Sequence, residues 1–334
     1  MNLSEAERQV LATLQGAELE AQPTDQASLE KRGERYWIFL EDWSDAFSSL
    51  ISKELIAGDE GGYRLTDAGR PLGDAYHRER PDMYWYYYQR FYPAAHASAA
   101  HSRFCERVYG EDLCQEGQTD MAALGDLLAH LDLKPGDHLL DLGCGAGGLS
   151  EYVSDRTGAM VTGIDYSASA ITTANARTEH KRSRLTFLQA DMNALDLPAH
   201  SFEAAISLDT LYWVADIADT LSQVMRTTKP GGQIGIFMLQ ALEEGDPPEI
   251  LEADKTAPAR ALSKLNLRYQ AYDYTTRNAD FWLRAKEAAT ALRDDFEAEG
   301  NGFISDNWIR EANDEFLPAI EAGTLTRYLY HVRL

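Results

Sequence analysis

The chain has 334 residues, a net charge of −23 and 44% hydrophobic residues. That length suits one large domain and a smaller one, and that composition supports a packed core. The acidic balance repels nucleic-acid phosphates and anionic lipid, so neither is an expected partner. There is no apolar run long enough to span a bilayer and no cationic leader, and a cytoplasmic setting is expected. Cys105, Cys114 and Cys144 form no metal spacing and no disulfide framework, and no metal is predicted. Positive charge is mostly arginine, a balance that suits high salt.

The amino-terminal segment, 1–80, reads as a small helical domain. Ser4 and Glu7 make a capping box for a helix over 4–15, with Val10, Leu11 and Leu14 on its apolar face. A second helical region, rich in aromatic residues, is expected over 34–53. Leu55-Ile56 and Tyr63-Arg64-Leu65 flank the turn Asp59-Glu60-Gly61-Gly62, and Thr66 is set to cap a helix at Asp67. Two short strands between helices resemble the wing of a winged helix. Such a domain either reads DNA or packs and dimerises; the acidity favours packing or a homodimer.

Residues 81–120 are expected to form an aromatic helical lid or linker. Tyr84, Trp85, Tyr86, Tyr87, Tyr88, Phe91 and Tyr92 crowd together, and His96 and His101 follow. A helix aromatic on every side must bury part of itself. Its bland role is packing. Its functional role is to cover a site, where aromatic faces hold an apolar group or a cationic amine.

The remainder, 121–334, alternates strand and helix. Thr119 or Asp120 caps a helix carrying Met121, Leu124, Leu127, Leu128 and Leu131. The apolar strand Leu139–Leu142 then runs into Gly143-Cys144-Gly145-Ala146-Gly147-Gly148, which opens a helix at about Leu149. Glycines allow φ values closed to other residues and let a ligand approach the backbone. Further strands are expected at 160–164, 185–189, 202–208 and 233–239, with helices at 149–156, 167–178 and 216–228 and a turn at Lys229-Pro230-Gly231-Gly232. A helix over 246–265 follows. This order demands a parallel, doubly wound sheet. Its carboxyl edge collects Asp141, Asp165, Asp191 and Asp209.

Two ligands compete for the glycine loop. Gly143, Gly145 and Gly148 fit the dinucleotide pattern, with Asp165 suitably downstream. Asp141, Gly143, Gly145 and Gly147 fit Asp-x-Gly-x-Gly-x-Gly, which resembles the first motif of class I S-adenosylmethionine (SAM) dependent methyltransferases. Asp165 can accept two ribose hydroxyls under either reading. Asp191-Met192 suits an adenine edge, and Asp141 can face an ammonium. The loop itself holds no lysine or arginine for a pyrophosphate, whereas an acidic edge suits an ammonium and a sulfonium.

Leu139–Gly148, Gly163–Ser167, Gln189–Met192 and Lys229–Gly232, in this order, look like a small-molecule methyltransferase of that class. The resemblance implies a Rossmann-like, seven-stranded α/β sheet that binds SAM and releases S-adenosylhomocysteine. It also implies that Cys144 belongs to the cofactor loop, that Tyr166 packs on adenosine, and that Leu208 and Asp209 line the methionine end. The amide-methylase tetrapeptide Asn/Asp-Pro-Pro-Tyr/Phe is missing from 207–213, which favours a small acceptor. In the family the sixth and seventh strands are adjacent and antiparallel. Here they are expected at 268–275 and 324–333, around a helical cap insertion of about 277–322 whose Phe281, Trp282, Phe296, Phe303 and Trp308 cover the site.

Methylation of an amine is expected ahead of oxygen or carbon. Tyr88, Tyr92, His96, His101, Asp209 and Tyr212 are the candidates for a base. Rival readings are an NAD(P)-dependent oxidoreductase on the same loop and a non-catalytic SAM-binding regulator.

Overall fold

The computed structural model describes residues 2–35, 43–59, 61–79, 85–243 and 245–334. The chain divides into two compact units, 1–90 and 91–334. The boundary falls inside the expected lid, so that 91–120 belong with the larger unit.

In the first unit, helix Glu5–Leu19 starts with the capping box that Ser4 and Glu7 forecast. The Ser4 hydroxyl accepts from the Glu7 N–H (3.2 Å), and the Glu7 carboxylate accepts from the Ser4 N–H (2.7 Å). The helix expected over 34–53 is instead represented by the ends of two helices, Gln26–Arg35 and Ser44–Ser52; Tyr36, Trp37, Ile38, Phe39 and Leu40 lie outside the described residues. Strands β1 (Ile56–Asp59) and β2 (Gly62–Leu65) pair antiparallel. The next helix is Arg70–Glu79, three residues later than expected. Thr66 closes a turn first, its hydroxyl accepting from the Gly69 N–H (3.1 Å). Val10, Leu11, Leu14, Leu29, Trp43, Phe47, Leu50 and Leu65 form the core of this unit.

The second unit is built on seven strands, β3 (His138–Leu142), β4 (Met160–Asp165), β5 (Leu185–Gln189), β6 (Phe202–Leu208), β7 (Thr228–Ala241), β8 (Tyr269–Asp273) and β9 (Leu325–Arg333). Their order across the sheet is β5-β4-β3-β6-β7-β9-β8. β3 to β7 run parallel, and β9 is antiparallel to both β7 and β8. This is the Rossmann-like sheet expected.

Alternation along each strand builds two apolar layers. Leu140, Leu142, Ala205, Ile234 and Ile236 face one layer. Leu139, Val161, Ala204, Ile206 and Phe237 face the other. Each fully buried aliphatic side chain contributes about 1.5–3 kcal/mol relative to exposure.

Two local expectations change, and a third is narrowed to one of its two alternatives. The turn at 229–232 lies inside β7, whose register against β6 shifts between Phe202 and Ala204. The helix expected over 246–265 begins only at Ala257, where the Thr256 hydroxyl caps it by accepting from the Ala259 N–H (3.3 Å). Asp120, not Thr119, caps helix Met121–Leu131. The insertion between β8 and β9 comprises helices Thr275–Ala291, Arg293–Ala298 and Gly302–Arg310, a π-helical stretch Glu311–Phe316 and helix Leu317–Glu321. No helix among the described residues is long and apolar enough to cross a membrane.

Candidate functional site

The glycine loop leaves the end of β3 and turns back on itself. Gly143, Gly145 and Gly147 all have positive φ (78°, 53° and 75°), so their conformations favour glycine. The protein's own side chains occupy the space beside them. A Cβ on Gly145 would lie 2.7 Å from the Tyr92 hydroxyl, and one on Gly147 would lie 2.5 Å from the Phe187 ring. The loop amides are held from below. One Asp165 oxygen accepts from the Gly145 N–H and the other from the Ser167 N–H, both at 2.9 Å. Tyr166, next along, is half-buried.

Asp141 is buried beneath the loop and accepts from the Ser150 hydroxyl (2.5 Å). Burial pushes its carboxyl up to about 6, the Ser150 bond opposing this and the Asp165 charge adding to it. Cys144 packs its side chain against Gly163. Burial, reinforced by Asp165 and Asp141, pushes its thiol well above the usual range, so it is a filler rather than a nucleophile. One cation does reach the loop: Arg177 donates to the Ala146 carbonyl (3.2 Å) while it is paired with Glu151.

At the ends of the neighbouring strands, the Asp191 carboxylate accepts from the backbone and amide nitrogens of Asn193, both at 2.8 Å. Met192 is buried beside it. Leu208, half-buried, closes β6. Asp209 follows in the left-handed region, at φ 58°.

Asp209 is not the free carboxylate the sequence suggested. Arg327, from β9, grips it bidentately, Nε to Oδ1 (3.0 Å) and Nη2 to Oδ2 (2.5 Å). Both side chains are almost fully buried, at 2% and 4% exposure. The Thr119 hydroxyl donates to Asp209 Oδ2 (3.1 Å) and accepts from Arg327 Nη2 (2.9 Å). The Tyr212 hydroxyl donates to Asp209 Oδ1 (3.2 Å) and accepts from the Leu239 N–H (2.9 Å). The guanidinium lies 4.6 Å from the Phe237 ring centroid. A buried pair persists only with this degree of hydrogen bonding. Sequence reasoning missed Arg327; its signal was an arginine near the start of the apolar strand 325–333, away from the strand's charged end at Arg333.

The other candidate bases fare differently. Burial, with the Asp209 charge next, pushes the Tyr212 hydroxyl well above its usual value, and burial with the Asp165 charge does the same to Tyr92. His101 is enclosed between Phe91 (5.3 Å between ring centroids) and Phe104 (6.0 Å), and burial lowers it to about 4. It is therefore a neutral packing group near pH 7. His96 is exposed. Tyr88 is half-buried, its ring edge-on to Tyr87. The structure gathers Tyr92 with the glycine loop and Tyr212 with Asp209; it does not gather His96 or His101 with them. No group of metal-binding residues occurs among the described residues.

Residues 140–236 match the methyltransferase-domain family, and they span the parallel part of the sheet from β3 into β7. Among characterised proteins, sterol 24-C-methyltransferase ERG6B of Gibberella zeae is 29% identical over 172 residues, which cover 49% of this chain and 44% of that protein. Phosphoethanolamine N-methyltransferase 1 of Zea mays is 31% identical over 129 residues, 39% of this chain and 25% of that protein. The matched region thus spans less than half the length of either relative. Phosphoethanolamine N-methyltransferase 2 of Haemonchus contortus, solved with phosphomonomethylethanolamine and S-adenosylhomocysteine, superposes with a TM-score of 0.60 at 18% identity over 74% of this chain and 60% of that one. That likeness is one of fold.

Proposed function

We propose that the chain is an S-adenosylmethionine-dependent methyltransferase that acts on a small-molecule acceptor, with an amine nitrogen favoured over oxygen or carbon. The observation that carries the cofactor assignment is the occupation of the approach to Gly148. A Cβ there would lie 1.9 Å from the Leu113 carbonyl oxygen. That carbonyl packs against the third glycine of the dinucleotide pattern, and a partial negative charge beside the start of the helix repels phosphate. An ammonium and a sulfonium suit such an edge.

Under this reading the loop Gly143, Cys144, Gly145 and Gly147 holds the methionine part with Asp141 and Leu208. Asp165 takes the ribose diol, Tyr166 packs on the adenosine, and Asp191 with Met192 reads the adenine edge. The cofactor supplies a methyl group already activated on sulfur. The chain's own contribution is positioning and exclusion of water. Tyr92 and Tyr212 are held protonated by burial, and Asp209 is neutralised by Arg327, so the site favours a nucleophile that arrives with its lone pair free. A neutral amine meets that requirement; a hydroxyl needs a base.

The first unit is, under the same reading, a packing or dimerisation module of winged-helix type, and the protein is cytoplasmic.

The test is a calorimetric titration with SAM beside a fluorescence titration with NADH, followed by transfer from methyl-labelled SAM to a metabolite extract. SAM binding and a labelled small amine are expected. NADH binding without SAM binding overturns the proposal, as does label only on nucleic acid or protein.

A further inference from the structure

The helical insertion buries polar groups that the fold leaves without partners. Asn278 is 1% exposed, and neither its amide oxygen nor its amide nitrogen has a hydrogen-bond partner among the described residues. The indole N–H of Trp308, in a residue 2% exposed, is in the same position. An unsatisfied buried polar group costs about 1–3 kcal/mol. Native structures keep few of them, and each calls for an explanation. Leucine and phenylalanine would fill these two places without that cost.

The placement of Asn278 supplies the explanation. Thr275, Asn278 and Trp282 are spaced i, i+3 and i+7 on helix Thr275–Ala291, so they share one stripe. Both outer members of the stripe are tied to the Asp209 end of the site. The Thr275 hydroxyl accepts from the Arg327 backbone N–H (3.1 Å). The Trp282 indole donates to Gln118 Oε1 (3.1 Å), and the next residue, Thr119, holds both Asp209 and Arg327. Asn278 lies between these two anchors and faces the same way. Trp308 lies against the stripe, its ring centroid 5.3 Å from that of Trp282. The chain after Trp308 widens into the π-helical stretch Glu311–Phe316, which brings Phe316 flat onto Trp282 at 4.0 Å. Such widened turns occur often at functional sites.

We infer that Asn278 and Trp308 are specificity-determining residues that hold an uncharged hydrogen-bonding group, a hydroxyl or a carboxamide, on the methyl acceptor. The inference rests on the methyltransferase reading. The amide of Asn278 offers both a donor and an acceptor, and Trp308 adds a donor. The Arg327 charge is cancelled by Asp209, and burial pushes the Glu311 carboxyl at the start of the π-helical stretch up to about 8, so it is uncharged near pH 7 and no net charge there draws an anion or a cation. The walls are aromatic: Phe281, Trp282 and Phe316. A hydroxyl or carboxamide on an otherwise apolar body is what such a lining selects, since a site with buried polar groups rejects an analogue that cannot pair them.

The test uses the full chain loaded with S-adenosylhomocysteine and two fragments of similar shape, benzamide and isopropylbenzene, whose dissociation constants are read by ligand-observed NMR. The variants are Asn278→Leu and Trp308→Phe; the second keeps the ring and removes only the donor. The wild type is expected to prefer benzamide at least tenfold, and each folded variant is expected to lose most of that preference, with S-adenosylhomocysteine affinity kept within twofold. Equal preference in wild type and variants overturns the inference and assigns these atoms to trapped water. No preference in the wild type overturns it also. If Asn278→Leu does not fold, Trp308→Phe decides. Should the wild type bind no S-adenosylhomocysteine, the methyltransferase reading itself fails, and the fragment comparison on the unloaded protein still judges the polar contact.

Discussion

The glycine-loop edge and the helical insertion treat buried polar groups in opposite ways. At the loop edge Asp141, Asp165, Asp209, Thr119 and Tyr212 all have partners supplied by the chain. In the insertion Asn278 and the Trp308 indole have none among the described residues. Asp141 and Thr119 are as enclosed as Asn278 and Trp308, so exposure alone does not explain the contrast. A group that the fold satisfies is doing structural work, orienting its neighbours. A buried group the fold leaves unsatisfied is available to something that arrives later. The charged residues of this site are therefore its scaffold, and its neutral residues are the better candidates for reading the acceptor.

The strongest way to break that comparison is to open the buried ion pair. Arg327→Leu leaves Asp209 with an uncompensated charge at 4% exposure. Removing one member of such a pair costs about 3–5 kcal/mol, because the remaining charge stays buried. A fall in melting temperature of about 10 °C or more is expected for a domain of this size. The double variant Arg327→Leu/Asp209→Asn is expected to recover most of the loss, since no charge is then stranded. If the double variant melts no higher than Arg327→Leu alone, the pair is not the scaffold described.

Asp141→Asn probes the same edge with a pH signature. In the fold the Asp141 carboxyl is raised from 3.8 to about 6, so the native state holds its proton more tightly than the unfolded chain does. Its contribution to stability is greatest below pH 3.8 and is lost as pH rises through about 6. A shift of that size corresponds to about 3 kcal/mol at neutral pH. Asparagine still accepts from Ser150 but carries no charge. The variant is expected to melt higher than wild type at pH 7.5 and equally at pH 4, and to bind SAM about tenfold more weakly. A gain that is the same at both pH values would rule out the titration as its source.

Most of the loop edge could be read in advance because its signals are local. The apolar run Leu139–Leu142 leads into a glycine cluster, Ser167 caps the helix after β4, and β4 and β6 each run straight into an acid, Asp165 and Asp209. The parallel part of the sheet follows from strand and helix alternation, and the antiparallel pairing of its last two strands from the family resemblance. What stayed hidden depends on distance along the chain. Arg327 and Asp209 are 118 residues apart, and Thr119 and Arg327 are 208 apart. Nothing near Asp209 in sequence announces a guanidinium. Helix ends slipped for a related reason: Pro247, Pro248 and Pro258 mark where a helix is difficult, but only the Thr256 cap shows where it starts. An orphaned amide such as Asn278 has no sequence signature at all, because asparagine mid-helix looks the same whether its side chain meets water, a partner or neither.

The gentlest test joins the two regions. The Thr275 hydroxyl is the first anchor of the Asn278 stripe, and its partner is the backbone N–H of Arg327 rather than the guanidinium. Thr275→Val keeps the shape and removes the acceptor, with an expected cost of about 1 kcal/mol from one hydrogen bond. Against a domain of this size that is about 2–4 °C in melting temperature. The ion pair is untouched by this change, so the loss should be a small fraction of that from Arg327→Leu. A loss as large as the ion-pair variant's would mean that the stripe and the pair come apart as one unit, and the division between a satisfied scaffold and an unsatisfied reading surface would not hold. A loss of the small size, accompanied by a weakened preference for benzamide, would show that the anchor sets where Asn278 stands.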